Sequence, residues 1–113
     1  MNEPTRVIGA RTSAVGWVVQ LTGRRKGRDW RLGRVTRIGR DSTRNDLILD
    51  EDNSSSAEHA KIRVEGGRFV LYDLGSSNGT LINERLIQKQ TLEDGDEITI
   101  GRTRFMFKEV REK

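Results

Sequence analysis

The sequence predicts an all-β domain, either a sandwich or a barrel, and two features carry that prediction. Apolar residues recur at every second position in many short runs, the first containing Trp17 and the last containing Phe107. Such alternation is typical of strands that have one face on a core and the other in water. Turn-forming residues separate the runs at roughly 8–12-residue intervals, which is the spacing expected of sandwiches and barrels.

The elements follow in order along the chain. The first run alternates at Trp17, Val19 and Leu21, and we expect these side chains to face the core. The later runs alternate at Trp30/Leu32, Ala60/Ile62/Val64, Phe69/Leu71, Ile98/Ile100 and Phe105/Phe107. Turns are predicted at residues 23–27, 41–46, 66–67, 75–79, 83–84 and 94–95. A capping-box signal at residues 55–58 is discounted, because the residues after it alternate with period two.

Composition indicates one small domain. The 113 residues are 33% hydrophobic and 34% charged, so the core must be modest. No stretch of about 18 apolar residues or signal-peptide core is present, which predicts a soluble, cytoplasmic protein. Residues 1–15 contain the only proline, Pro4, and no sustained period, so we expect a flexible tail there. The domain is expected at 16–110, followed by a short tail at 111–113.

Several kinds of catalytic site are excluded by residue content. Cysteine is absent, and the single histidine, His59, has no Gly-x-Ser-x-Gly nucleophile motif to serve. The acidic run at residues 50–53 hints at a calcium loop but lacks its glycine and distal glutamate. No Gly-x-x-x-x-Gly-Lys motif is present for nucleotide phosphates. We therefore predict that the chain is not an enzyme and binds neither a metal nor a cofactor.

The net charge of +4 suits an anionic partner, which leaves nucleic acid, anionic lipid and phosphorylated protein open. The basic tip at residues 23–28 keeps a nucleic-acid-binding domain as an alternative. Affinity for nucleic acid that falls steeply with salt concentration would indicate that function. Aromatic residues make up only 5% of the chain, which weighs against a base-stacking platform. No amphipathic helix is visible, so membrane association is not expected.

Three short segments in predicted loops share a chemical theme: residues 38–47, 56–60 and 73–80. They supply arginine, hydroxyl and asparagine side chains, which together form a surface rich in hydrogen-bond donors. A phosphate dianion requires such a surface, with a guanidinium fork for two oxygens and hydroxyl or backbone N–H donors for the others. An asparagine side chain can both donate to and accept from the backbone of an extended peptide.

The order of these motifs resembles the forkhead-associated (FHA) family over roughly residues 16–110. The motifs are Gly39-Arg40, Asn45-Asp46-Leu47, Ser56-x-x-His59, Ser76-Ser77-Asn78-Gly79-Thr80 and Leu92-x-Asp94-Gly95-Asp96-x-Ile98-x-Ile100-Gly101. The resemblance implies an eleven-stranded β-sandwich whose loops at one end bind phosphothreonine peptides. It also implies a small pocket for the threonine methyl group, and hence a preference over phosphoserine. The implied partners are phosphothreonine-containing proteins and a Ser/Thr kinase, and the implied process is signal transduction.

The resemblance also assigns roles residue by residue. Arg40 is implied as the main cationic contact to phosphate, with Ser56 and Ser77 donating hydrogen bonds to phosphate oxygens. Asn78 is implied to hold the peptide backbone. Structural support of the site is implied for four residues, namely Gly39, Asn45, His59 and Gly79.

Two positions depart from the family. Ala57 stands where the family often has arginine or another polar contact, and Ser55 stands where an apolar residue is usual. Ser55 is therefore an alternative to Ser56 as the phosphate contact. We expect reduced peptide selectivity rather than loss of binding, and a phosphate-independent scaffold remains the alternative function.

The N-terminal tail offers a regulatory hypothesis. Thr5 has an aliphatic residue, Ile8, three positions later, and FHA domains commonly select on that position. If a kinase phosphorylates Thr5, the tail could occupy a binding site in cis or in trans. Its eleven-residue connection to the domain reaches at most roughly 36–40 Å.

Overall fold

The computed structural model describes residues 14–111, which form eleven strands and no helix. No helix in this part of the chain is therefore long and apolar enough to span a bilayer. The strands make two stacked sheets, so the all-β prediction is confirmed, and the sandwich is the arrangement adopted.

The strands are short, as the spacing of the turn signals predicted. Their bounds are β1 Val15–Gln20, β2 Asp29–Arg31, β3 Val35–Gly39, β4 Leu47–Ile48, β5 Ala60–Glu65, β6 Arg68–Asp73, β7 Thr80–Ile82, β8 Arg85–Ile87, β9 Lys89–Thr91, β10 Glu97–Ile100 and β11 Thr103–Val110. One sheet has five strands in the order β9-β6-β5-β3-β4, and the other has six in the order β2-β1-β11-β10-β7-β8. Neighbouring strands are antiparallel except β3 and β4, which run parallel.

The core lies between the two sheets and is built by the alternating residues that the sequence indicated. Ile62, Leu71, Ile98 and Phe107 are fully buried. The ring of Phe107 meets that of Phe69 edge to face, with 5.6 Å between their centroids, which joins the two sheets across the core. Burial of this apolar surface is the main force that holds the sheets together.

The inward face of β1 differs from the prediction. Val18 and Gln20 point into the core, whereas Trp17 and Val19 lie half-buried on the outer face of the six-stranded sheet. Apolar residues occupy both faces of this strand, so period two by itself could not choose between them. Pairing of β1 with β11 sets the register, because Val18 lies opposite the buried Phe107.

The strand directions bring the candidate loops to one end of the sandwich. Strands β3, β4 and β6 end there, and β5 and β7 begin there, as the register of the two sheets shows. The loops at residues 40–46, 49–59 and 74–79 are therefore neighbours in space. The tips at residues 21–28 and 101–102 lie at the same end. Val15, paired with Val110, lies at the opposite end.

Gly16 tests the packing of this core. A Cβ atom at Gly16 would lie 2.8 Å from the Phe69 ring, so we expect Gly16→Ala to lower the free energy of unfolding by about 1–3 kcal/mol. Gly33→Ala is the control, since its Cβ would meet only a backbone oxygen at 4.0 Å, and we expect a change within about 0.5 kcal/mol. Urea denaturation measures both, and equal effects would contradict the packing described here.

Candidate functional site

Arg40 lies at the start of the β3–β4 loop and is tied to the β4–β5 loop. Its backbone N–H donates to the Ser56 carbonyl at 3.0 Å, and its side-chain Nε donates to the Ser55 carbonyl at 3.0 Å. The residue is exposed, and no carboxylate of residues 14–111 forms an ion pair with it. Because Nε is held by protein, the guanidinium is oriented while its two terminal nitrogens remain available to an oxyanion.

Ser56 and Ser77 are brought into direct contact. The backbone N–H of Ser77 donates to the Ser56 hydroxyl oxygen at 3.0 Å, which leaves the Ser56 hydroxyl proton for another acceptor. Asn78 crosses between the same loops, since its Nδ2 donates to the Ser54 carbonyl at 2.8 Å. Ser77 and Asn78 are exposed, and Ser56 is half-buried. The structure therefore gathers the predicted residues of three loops on one surface.

The choice between Ser55 and Ser56 is decided by burial. Ser55 is 2% exposed, and its hydroxyl donates to the Asp52 carbonyl at 2.7 Å. Its side chain is turned into the protein and bonded within the β4–β5 loop, so of the two serines only Ser56 keeps its hydroxyl near the loop surface. Ala57 is exposed and offers only a methyl group, while its carbonyl accepts from the Asp41 backbone N–H at 3.2 Å.

His59 is fully buried and joins the two serine-bearing loops. Its Nδ1 accepts a hydrogen bond from the Ser56 backbone N–H at 3.0 Å, and its Nε2 lies 2.8 Å from the Gly79 carbonyl oxygen. Since an N–H can only donate and a carbonyl can only accept, these partners require the neutral tautomer with hydrogen on Nε2. These two bonds let the buried His59 side chain brace both loops from inside the sandwich.

Asn45 and Gly39 fix the base of the β3–β4 loop. Asn45 Nδ2 donates to the Asp41 carbonyl at 2.8 Å and to the Ala57 carbonyl at 2.7 Å. Gly39 allows these groups to approach, because a Cβ there would stand 2.4 Å from the Ala57 carbonyl oxygen. Both residues therefore shape the loop that carries Arg40.

Gly79 ends the β6–β7 loop in the left-handed backbone region, with φ of 86°. A side chain there would also meet Leu86, whose Cδ1 would lie 2.5 Å from the added Cβ. Gly79 thus meets two independent requirements, one of backbone conformation and one of space. Its carbonyl is the one that faces His59, so this turn sets the position of the preceding Ser77 and Asn78.

Asp73 organises the β6–β7 loop, a role that the sequence reasoning missed. Its carboxylate accepts from the backbone N–H groups of Gly75 at 3.0 Å and Ser76 at 3.1 Å, and from the Ser76 and Thr80 hydroxyls. Partial burial acts to raise the pKa of this carboxyl, but the hydrogen bonds from Ser76, Thr80 and Gly75 outweigh it and hold the pKa below its ordinary value. The Asp-x-Gly-Ser order, typical of an Asx turn, was the available signal.

Asp52 ties the β4–β5 loop to the β10–β11 turn and was also missed. It is 8% exposed and accepts from Ser54 N–H at 2.9 Å, Arg102 N–H at 2.8 Å and the Thr103 hydroxyl at 2.6 Å. Burial opposes ionisation, yet the bonds from Thr103, Arg102 and Ser54 lower the pKa of Asp52. Within residues 14–111 no group of three or more His, Asp or Glu side chains is placed to hold a metal ion.

Comparison with known proteins agrees with this geometry. The model of the FHA domain family matches residues 36–101. The chain belongs to the FHA family. The family resemblance drawn from the ordered motifs is thereby confirmed, and the sandwich is the FHA type of fold.

Three relatives illustrate the likeness. The glycogen accumulation regulator GarA of Mycolicibacterium smegmatis is 44% identical over 62 residues, which are 55% of this chain and 39% of GarA. The structure of Mycobacterium tuberculosis EmbR in complex with a low-affinity phosphopeptide has a TM-score of 0.77 and 35% identity, over 96% of this chain and 29% of that one. A domain solved in an analysis of phosphothreonine-dependent FHA domain interactions has a TM-score of 0.76 and 30% identity, over 83% and 95%. The chain thus spans less than half the length of GarA and of EmbR.

Asp73 gives the site a pH-dependent support. Folding lowers the pKa of Asp73, so its carboxylate binds a proton more readily in the unfolded chain. The ionised carboxylate therefore stabilises the fold fully above pH of about 4, and this stabilisation is lost as the pH falls through the lower pKa of the folded state. We expect Asp73→Asn to be destabilised at pH 7, with the gap from wild type narrowing towards pH of about 3. Urea denaturation at each pH measures this gap, with the exposed Asp29→Asn as control. A gap independent of pH would contradict the role given to the ionised carboxylate.

Proposed function

We propose that this FHA domain binds phosphothreonine-containing peptides at the surface formed by Arg40, Ser56, Ser77 and Asn78. The observation that carries the proposal is the bond between the Ser77 N–H and the Ser56 hydroxyl, beside an Arg40 oriented through its Nε. It brings donors from three loops to one place, as recognition of a phosphate dianion requires.

The division of labour among the residues follows from their chemistry. Arg40 supplies the positive charge and a planar pair of donors, and the hydroxyls of Ser56 and Ser77 add single hydrogen bonds. Asn78 keeps a side-chain carbonyl oxygen and a second amide hydrogen beyond its bond to Ser54, so it can engage the peptide backbone. Because the support residues hold these groups in place before the ligand arrives, little ordering cost is added on binding.

The comparisons support the same ligand class. EmbR, whose match covers 96% of the present chain, was solved with a phosphopeptide. Another neighbour comes from work on phosphothreonine-dependent FHA interactions. A Ser/Thr kinase would supply the modification, which places the domain in kinase signalling. That the chain is not an enzyme stays a prediction.

A peptide panel tests the proposed function directly. Fluorescent threonine, phosphothreonine and phosphoserine peptides, with the third residue after threonine varied, are titrated with the protein. We expect binding to the phosphothreonine peptides alone, with the exposed Ala57 leaving only a weak preference along the peptide. Equal binding with and without phosphate would favour the scaffold, and steeply salt-dependent binding to nucleic acid would favour that rival.

Arg40→Ala is expected to abolish measurable phosphopeptide binding while the protein stays folded. Charge-assisted hydrogen bonds contribute roughly 1.5–3 kcal/mol each, so the loss of two or three weakens binding by about a thousand-fold. Arg44→Ala is the matched control, since Arg44 lies in the same loop but pairs with Glu58 at 2.7 Å. Peptide titration and thermal melting are measured on both, and an unchanged affinity for Arg40→Ala would refute its assignment.

We further propose that phosphorylated Thr5 is a ligand of this site, most readily on a second molecule. Thr5 lies outside the described residues, but the domain's first strand starts at Val15, at the end opposite the loops. The eleven-residue connection reaches at most roughly 36–40 Å and has to run back along the length of the sandwich, so binding in cis would hold it nearly taut.

Phosphorylation of Thr5 is therefore expected to make a peptide of residues 1–11 compete with other phosphopeptides and to raise the apparent mass of the full chain in light scattering. Thr5→Ala, treated with the same kinase, is the control. A phosphorylated chain that stays monomeric and binds added phosphopeptide as tightly as before would sink this idea.

A further inference from the structure

The outer face of the five-stranded sheet carries a concentration of positive charge away from the phosphate loops. We call it the basic face, and define it as Arg37, Lys61, Arg63 and Lys89. Arg37, Lys61 and Arg63 point away from the core, since their neighbours in sequence are the inward residues. Lys89 lies on the same face, because it is opposite Tyr72 on β6, as Lys61 is.

The register places these cations next to one another. Arg37 lies directly opposite Lys61, and Lys61 and Lys89 each lie opposite Tyr72 on β6. The two lysine Nζ atoms stand over the same phenol ring, 5.3 and 5.4 Å from its centroid. Like charges directly across strands destabilise a sheet, so this arrangement is unfavourable for the isolated domain.

Carboxylates of the domain do little to neutralise the basic face. Of its four residues only Arg63 has an ion pair within residues 14–111, to Glu65 at 3.5 Å, and Glu65 also accepts the Tyr72 hydroxyl. The outer face of the six-stranded sheet differs, because Arg104 pairs with Glu97 at 2.5 Å and Lys108 with Asp94 at 3.4 Å. Two of the outward cations of that sheet are thus paired, whereas Arg37, Lys61 and Lys89 of the basic face have no ion pair within residues 14–111.

The basic face is continuous with the candidate phosphate site. Arg37 precedes Arg40 by three residues, and Lys61 follows His59 by two, on strands that run straight into the loops. A ligand chain that leaves the loops over this sheet meets Arg37 and Lys61 first. The charges therefore lie where a segment next to a bound phosphothreonine would pass.

We propose that the basic face holds an acidic segment of the same protein whose phosphothreonine occupies the loops, an inference that rests on the proposed function. The face is the broad outer surface of a sheet, and its one aromatic ring, Tyr72, is covered by two lysines. A base has no free ring on which to stack there, which favours an acidic peptide over single-stranded nucleic acid. The second contact is intramolecular once the phosphothreonine is bound, so modest ion pairs suffice.

Three peptides test the proposal. The first is a short phosphothreonine peptide that binds the loops alone. The second adds a Gly/Ser linker of about eight residues, which reaches at most roughly 26–29 Å, and then six glutamates. The third carries glutamines instead of glutamates. Each extended peptide is made in two versions, one with the extension at the N-terminus of the short peptide and one with it at the C-terminus. Kd is measured at low and at high salt.

The variant Lys61→Gln/Lys89→Gln removes the two charges that flank Tyr72. Its control is Arg31→Gln/Lys108→Gln, which removes two charges from the other sheet, where Arg31 and Lys108 each lie opposite Trp17. For the wild type at low salt, we expect one of the two glutamate-extended peptides to bind about ten-fold more tightly than the matching glutamine-extended peptide. This gain in affinity should shrink at high salt. The first variant should lose this gain and the control should keep it, while the short peptide binds all three proteins equally.

Each other outcome has a defined meaning. If glutamate and glutamine extensions bind the wild type equally while the short phosphopeptide still binds, the basic face has no acidic partner segment, and the proposed function stands. If the short phosphopeptide does not bind, the proposed function fails, and this inference fails with it. A DNA or RNA oligonucleotide is added to the wild type in complex with each extended peptide. If it displaces the glutamate-extended peptide but not the glutamine-extended one, nucleic acid is the occupant and the proposal is overturned.

Discussion

The buried imidazole of His59 is the interaction on which the candidate site depends. It accepts from the Ser56 N–H on one loop and faces the Gly79 carbonyl on another, so a single ring sets the spacing between the two serine-bearing loops. Both bonds are partly shielded from solvent, and a buried polar group left unpaired costs about 1–3 kcal/mol. The ring is therefore a condition for both loops to hold their shape.

Around this ring the loops are supported by side chains that bond to backbone. Asn45 holds the β3–β4 loop, Asp52 holds the β4–β5 loop, and Asp73 holds the β6–β7 loop. Each of them satisfies backbone donors or acceptors that no strand partner reaches, as buried loop backbone requires. Exposed side chains such as Arg40 and Ser77 are thus presented on loops whose backbone is held by side-chain hydrogen bonds.

The two sheets have different electrostatic characters although they share one core. On the six-stranded sheet the outward Arg104 and Lys108 form ion pairs, whereas on the five-stranded sheet Lys61 and Lys89 converge on Tyr72 and neither has an ion pair within the described residues. Strand register thus gathers Arg37, Lys61 and Lys89 on one face, next to the loops that follow β3 and precede β5. This asymmetry is a property of strand register and cannot be seen in the composition.

Fold class and family could be predicted from the sequence, because alternation is a local property and the motifs occur in a fixed order. The same motifs placed Arg40, Ser56, Ser77 and Asn78 on loops. The buried face of β1 could not be predicted, since Trp17 and Val18 are both apolar and pairing with β11 sets the choice. The tertiary structure likewise separated Ser55 from Ser56 and gave Asp52 and Asp73 their roles, because burial and hydrogen-bond partners arise from residues distant in the chain.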